Sequence, residues 1–178
     1  MSDIQAPLAA PADTITSRRE VIAVLATAGA TALAGSAEAQ PAPQPFRIFN
    51  PPNMAKPFGY SHVAEVTSGR TVYISGQIGL DPSGKLAGTP GDFRSQATQV
   101  FENLKTALAS VGGGFQNLVK LNGYFTNMKD QLPVFREVRD QYISKDAPPA
   151  STIVQVGQLA REEFLLEVEV IAVLPSHT

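Results

Sequence analysis

The stretch LLEVEVIAV, residues 165–173, sets two carboxylates, Glu167 and Glu169, two positions apart in an otherwise apolar run. In an extended chain that spacing puts both on one face, beside Leu165, Ile171 and Val173. A carboxylate held among apolar neighbours is suited to work as a general acid or base. Ser75 and Gly76 end a strand-like run, TVYISGQI (71–78), where a hydroxyl and a closely approaching backbone N–H can hold an oxygen. His62, beside Tyr60, is the one mid-chain histidine, the residue type suited to proton transfer near neutral pH. Ser151 stands where a proline-stiffened loop feeds a strand, in PPASTIVQV (148–156); its hydroxyl carries no charge and cannot clamp a carboxylate as an arginine would.

The chain has 178 residues, 43% of them hydrophobic, enough for one domain with a sizeable core. It has no cysteine, which excludes a disulfide framework, a thiol nucleophile and a thiolate metal site. Its two histidines, His62 and His177, are far apart, so no metal site is expected. The glycine-rich SVGGG at 110–114 follows a helical pattern rather than preceding one, and is not a phosphate loop. No cofactor is implied.

The opening residues have a different character. Arg18 and Arg19 precede an uncharged, Ala-rich run from Val21 to Ala37, followed by Ala37-Glu38-Ala39. This is the layout of a bacterial export signal with an Ala-x-Ala cleavage site, its paired arginines favouring the twin-arginine route to the periplasm. The run is short and poor in leucine for a lasting membrane anchor. Removing residues 1–39 takes away two arginines with Asp3, Asp13, Glu20 and Glu38, leaving 12 basic and 12 acidic residues. A neutral chain has no basic stripe for a nucleic-acid backbone. The organisation expected is a signal over 1–39, a linker over 40–50 containing QPAPQPF, and one domain over 51–178.

Within that domain the periodicity alternates. Residues 71–78 read as a strand, DPSGK (81–85) as a turn, and 92–111 as a helix with Ala97, Val100, Phe101, Leu104, Leu108 and Val111 on one stripe, stopped by GGG. A strand over 118–126, a helix over 131–143 and strands near 152–157 and 164–174 follow. The last strand has one wholly apolar face, Phe164 to Leu174 in steps of two. Two helices can cover only one side of the sheet. The other side, with Tyr73, Ser75, Gln155 and the two glutamates, is too apolar for water, which points to a partner subunit and a small polar cleft in the seam.

Several segments, in this order and spacing, resemble the RidA family of reactive-intermediate deaminases: GYSHV (59–63), VYISGQIGLDPSGKL (72–86), QATQVFENLKTALASVG (96–112) and LLEVEVIAV (165–173). The resemblance spans nearly all of 50–174. It implies an α+β, chorismate-mutase-like fold, with a mixed sheet and two helices on one face, assembled as a homotrimer with clefts between subunits. It further implies cofactor-free hydrolysis of imines or enamines, with Glu167 positioning water, Ser75 and Gly76 lining the cleft, and Tyr60 covering it. The family's carboxylate-holding arginine falls at Ser151 here. His62 and Asn122, with Tyr124, are placed to reach the seam, while Glu169 reads as an edge or channel charge. Two readings follow: a deaminase-type hydrolase of altered substrate range, or a trimer that binds a small metabolite without catalysis.

Overall fold

The structure, a computed structural model, describes residues 44–176. The export segment expected over 1–39, and His177, lie outside these residues. A short hairpin, β1 (Phe46–Phe49) and β2 (Val63–Val66), comes first. Strand β3 (Arg70–Gln77), helix α1 (Phe93–Ser110), strand β4 (Leu118–Phe125), helix α2 (Met128–Arg139) and strands β5 (Ala150–Gln155) and β6 (Leu166–Leu174) follow. The four later strands form one sheet in the order β3-β6-β4-β5. β4 and β5 are parallel and β6 is antiparallel to both its neighbours, so the sheet is mixed. The fold is α+β with both helices on one face.

The apolar stripe of α1 makes the helix amphipathic and sets its orientation. Ala97, Val100, Phe101, Leu104 and Leu108 are fully buried against Leu166, Val168, Val170 and Ala172 of β6. Each large apolar side chain taken out of water there contributes about 1.5–3 kcal/mol. The Asp92 carboxylate caps the helix, accepting from the Ser95 N–H at 3.1 Å and the Ser95 hydroxyl at 2.7 Å. At the other end Gly112 takes φ +79°, and its N–H returns to the Ala109 carbonyl at 3.0 Å, which closes the last turn.

Polar residues of α1 then pin the two segments that carry candidate site residues. Gln96, fully buried, donates to the Glu163 carbonyl (2.8 Å) and accepts from the Leu165 N–H (3.0 Å), fixing the entry to β6. Asn103 donates to the Ile78 and Leu80 carbonyls (3.1 and 2.9 Å) while accepting from Gln99 (2.8 Å), fixing the exit of β3. The spaced Gln96, Gln99 and Asn103 of the sequence are therefore hydrogen-bonded amides, Gln96 fully buried and the other two half-buried, that tie helix to sheet.

Helix α2 covers Met128–Arg139 rather than 131–143. Asn127 supplies the start: its side chain accepts from the Asp130 N–H, and its own N–H donates to Gln131 Oε1 at 2.9 Å. Pro133 lies inside the helix, and residues 140–143 form a separate turn that keeps Tyr142 on the core. The segment 40–50 is not wholly linker, because Phe46–Phe49 pairs with β2 and Arg47 forms an ion pair with Glu65. Gln155 also differs from expectation. Its side chain accepts from the Met128 N–H at 2.9 Å, on the helix side of the sheet, and not on the open face.

Tyr142 stacks on Phe101 with ring centroids 5.0 Å apart and donates to Glu102 Oε1 at 2.8 Å. Burial, then that hydrogen bond and the Glu102 charge, push its phenol up to about 12. Below the unfolded tyrosine value near 10 this stabilisation is fully present; it is lost as pH rises through about 12. Tyr142→Phe is expected to cost about 1 kcal/mol at neutral pH and to flatten the fall in stability between pH 10 and 12, measured by urea unfolding across that range.

Candidate functional site

Strict alternation in β6 sorts its residues between the two faces. With Leu166, Val168 and Val170 buried, Glu167, Glu169 and Ile171 must stand on the face away from the helices. Across the sheet Tyr124 opposes Glu167, Asn122 opposes Glu169, and Tyr73 opposes Ile171. Glu169 Oε1 accepts from Asn122 Nδ2 at 2.8 Å and from the Tyr124 hydroxyl at 3.1 Å. It is thus the centre of a hydrogen-bonded cluster rather than an edge charge. The hydrogen bond to Glu169, then burial and the charges of Glu169 and Glu167, hold the Tyr124 phenol above its ordinary pKa. Tyr124 accordingly stays a proton donor well into the alkaline range.

β3 does not keep period two to its end. Ile74 pairs with Val170 and Gln77 with Val168, so three steps on β3 match two on β6. This is a β-bulge, and the residues inside it are Ser75 and Gly76. The bulge brings the Gly76 backbone against the Glu167 carboxylate so closely that a methyl group on Gly76 would overlap Glu167 Oε1, Cδ and Cγ. Only glycine leaves room for the acid to lie there. Ser75 is exposed beside it, and Tyr73, Ser75, Lys120, Asn122, Glu169 and Ile171 line a cavity of about 320 Å³. Lys120 donates to the Thr152 hydroxyl at 2.7 Å.

Ser151 and Tyr60 lie elsewhere. In the parallel β4–β5 pair Ser151 is opposite Leu121, a buried core residue, so its side chain is on the helix side of the sheet. There it shares a cavity of about 250 Å³ with Phe58, Tyr60, Ile153 and residues of α2. The loop carrying Tyr60 is hung on the start of β5: the Ser61 N–H donates to the Pro149 carbonyl at 3.2 Å, and Ser61 bridges Ala150. Arg139 holds the same loop from α2 by donating to the Gly59 carbonyl at 2.8 Å. His62 packs edge-on to Tyr60 (5.3 Å between centroids), and its Nε2 donates to the Ala55 carbonyl at 2.8 Å, which occupies that proton. Arg161 is exposed and paired with Glu163.

One chain therefore brings Glu167, Ser75, Gly76 and Asn122 together on the open face, and Tyr60, His62 and Ser151 together on the other. It does not join the two groups. Glu169 and the arginines of α2 carry more of these sites than sequence reasoning assigned. The Asn122–Glu169 pairing was signalled by shared strand periodicity, but the loop-to-α2 contact had no sequence signal.

Residues 53–174 match the model of the family described as Endoribonuclease L-PSP. The chain belongs to this family, which includes the RidA proteins. A 2-iminobutanoate/2-iminopropanoate deaminase of Dermatophagoides farinae is 34% identical over 131 residues, 73% of this chain and 98% of its own length. The crystal structure of YyfB, a Rid-family protein of unknown function from Yersinia pestis, superposes with a TM-score of 0.66 at 33% identity, covering 73% of this chain and 99% of that one. RidA from Psychrobacter sp. PAMC 21119 gives a TM-score of 0.54 at 37% identity, covering 67% and 92%. These structures have the same α+β arrangement of a mixed sheet with two helices.

The Glu169 cluster has a direct spectroscopic consequence. Glu169→Gln removes the charge that Tyr124 faces and is expected to lower the Tyr124 phenol pKa, read by NMR titration of ring-labelled tyrosine. An unchanged titration would contradict the pairing.

Proposed function

We propose that this protein hydrolyses small imines or enamines to a carbonyl compound and ammonia, in a cleft that neighbouring subunits of a homotrimer complete. The observation that carries this reading is the Glu167 carboxylate lying against Gly76 in the β3 bulge, whose other residue is Ser75. The likeness to the 2-iminobutanoate/2-iminopropanoate deaminase of Dermatophagoides farinae supports the reaction class.

Hydrolysis of a C=N bond needs a water delivered to the carbon and protons moved to the nitrogen. Glu167 accepts a proton from water as its oxygen bonds to carbon, the pair of electrons in the C=N π bond moves to nitrogen, and Glu167 hands that proton on to the nitrogen. The carbinolamine then collapses: Glu167 takes the hydroxyl proton as C=O forms and passes it to the amine as the C–N bond breaks, so ammonia leaves and the carboxylate is regenerated. Ser75 and the Gly76 N–H stabilise the oxygen that gains charge. No redox step is involved. The open sheet face, with Tyr73 78% exposed and Val154 41% exposed, supports a second copy as the cover of this site.

Ser151 favours one alternative. Without a cation at that position the trimer would be a binder of a small metabolite that has lost catalysis. The export segment supports a periplasmic location reached by the twin-arginine route, with cleavage after Ala39.

Purified protein is expected to release ammonia from freshly generated 2-iminopropanoate faster than buffer does. Glu167→Gln is expected to lower that rate by about 10²–10⁴-fold, the usual contribution of a positioned general base. A wild-type rate equal to buffer, with small molecules still bound, would establish the binding reading instead.

A further inference from the structure

We infer that Arg136 is the carboxylate-binding cation of this protein, supplying from α2 the charge that Ser151 cannot supply from β5. The substrate class that follows, a small 2-imino acid, rests on the deaminase reading above; the anion site itself rests on geometry. Arg136 lines the cavity of about 250 Å³ that Ser151, Tyr60 and Phe58 also line. That cavity adjoins a larger hollow of about 550 Å³, which shares Phe58, Arg136 and Arg139.

Arg136 differs from every other described arginine. Arg47, Arg94 and Arg161 are paired with glutamates, Arg70 donates to the Val111 carbonyl, and Arg139 is held by Asp140 and the Gly59 carbonyl. Only the Arg136 guanidinium has neither an ion pair nor a hydrogen bond among the arginines of the described residues. The nearby acids are already occupied: Glu137 pairs with Arg94, and Asp140 with Arg139 and Lys145. Arg139, three residues further on, ties down the loop that carries Tyr60, and Arg136 remains with its donors unused.

Its guanidinium lies over the Phe58 ring, 4.6 Å from the centroid. A guanidinium held over a ring face makes no hydrogen bond to it, so its N–H donors stay available to a carboxylate. Ser151 in the same cavity adds a hydroxyl that can donate to the carboxylate's second oxygen. Arg136 and Arg139 already line this cavity, Arg139 neutralised by Asp140, and an arginine at 151 would add a further cation beside Arg136, so the serine is its compatible neighbour.

Binding of pyruvate, and of uncharged pyruvamide as its control, is measured calorimetrically on the full chain. Wild type is expected to prefer pyruvate. Arg136→Gln is expected to weaken pyruvate by about 10- to 100-fold, the loss of a charge-assisted hydrogen bond, and to leave pyruvamide unchanged. Arg136→Lys should recover part of the loss, and Ser151→Arg in the Arg136→Gln background should restore pyruvate binding. Equal affinity of wild type for the two probes, no binding of pyruvate, or undiminished binding by Arg136→Gln would each overturn the assignment. Pyruvate binding that needs Arg136 without any ammonia release would sink the deaminase reading and leave this one standing. Ammonia release undiminished in Arg136→Gln, with pyruvate binding intact, would do the reverse.

Discussion

The two-residue repeat of β6 is the constraint on which the rest of this protein depends. Leu166, Val168, Val170 and Ala172 are buried under α1 and α2, and the pleat then leaves Glu167 and Glu169 no choice of face. A slip of one residue would put two carboxylates in the core and four apolar residues in water, so packing energy holds the acids where they are. The central position of β6, between β3 and β4, also gives each acid neighbours on both sides. Glu167 meets the β3 bulge, and Glu169 meets Asn122 and Tyr124.

The helices contribute more than cover. Gln96 and Asn103 commit amide hydrogen bonds to the entry to β6 and the exit from β3, the two segments that must meet for Glu167 to lie on Gly76. On the other side of the sheet, α2 and its last turn hold the Phe58–Tyr60 loop over β5 through Arg139. Each face thus carries its own group of candidate residues. The sheet separates the two groups within a chain, and in the proposed trimer the open face of one copy would meet the edge of another.

Much of this was legible in the sequence, for identifiable reasons. The strands and helices that form the core announce themselves by strong periodicity, as in β6 and α1, and the glycines at 112–114 mark a stop that Gly112 does make. The faces of Glu167, Ser75 and Asn122 follow from the same periodicity. What was not legible depends on contacts distant in sequence. β1 hides behind a proline run because its strand character comes from pairing with β2, fifteen or so residues away. The start of α2 is set by Asn127, whose side chain accepts from the Asp130 N–H while its own N–H donates to Gln131 Oε1, a contact that hydrophobic periodicity does not register. Gln155 lies on the helix side because the register of β5 sets it opposite the core residue Phe125, where its side chain meets the N–H of Met128. The bulge at Ser75 and Gly76 is a mismatch between two strands, and neither strand shows it alone. Arg136 reads as one basic residue among many until the partners of the other arginines are known.

The claim that most needs testing is that the cleft is shared between subunits. Glu167→Gln disables the open-face half, and Ser151→Trp fills the other half with a side chain too large to leave room for a ligand. The two variants, each inert alone, are unfolded together, refolded as mixed assemblies and assayed for ammonia release. A shared cleft returns about a quarter of wild-type activity, the statistical share of clefts that receive both intact halves. If the mixture stays as inert as its parents, each cleft lies within a single chain and the account is wrong.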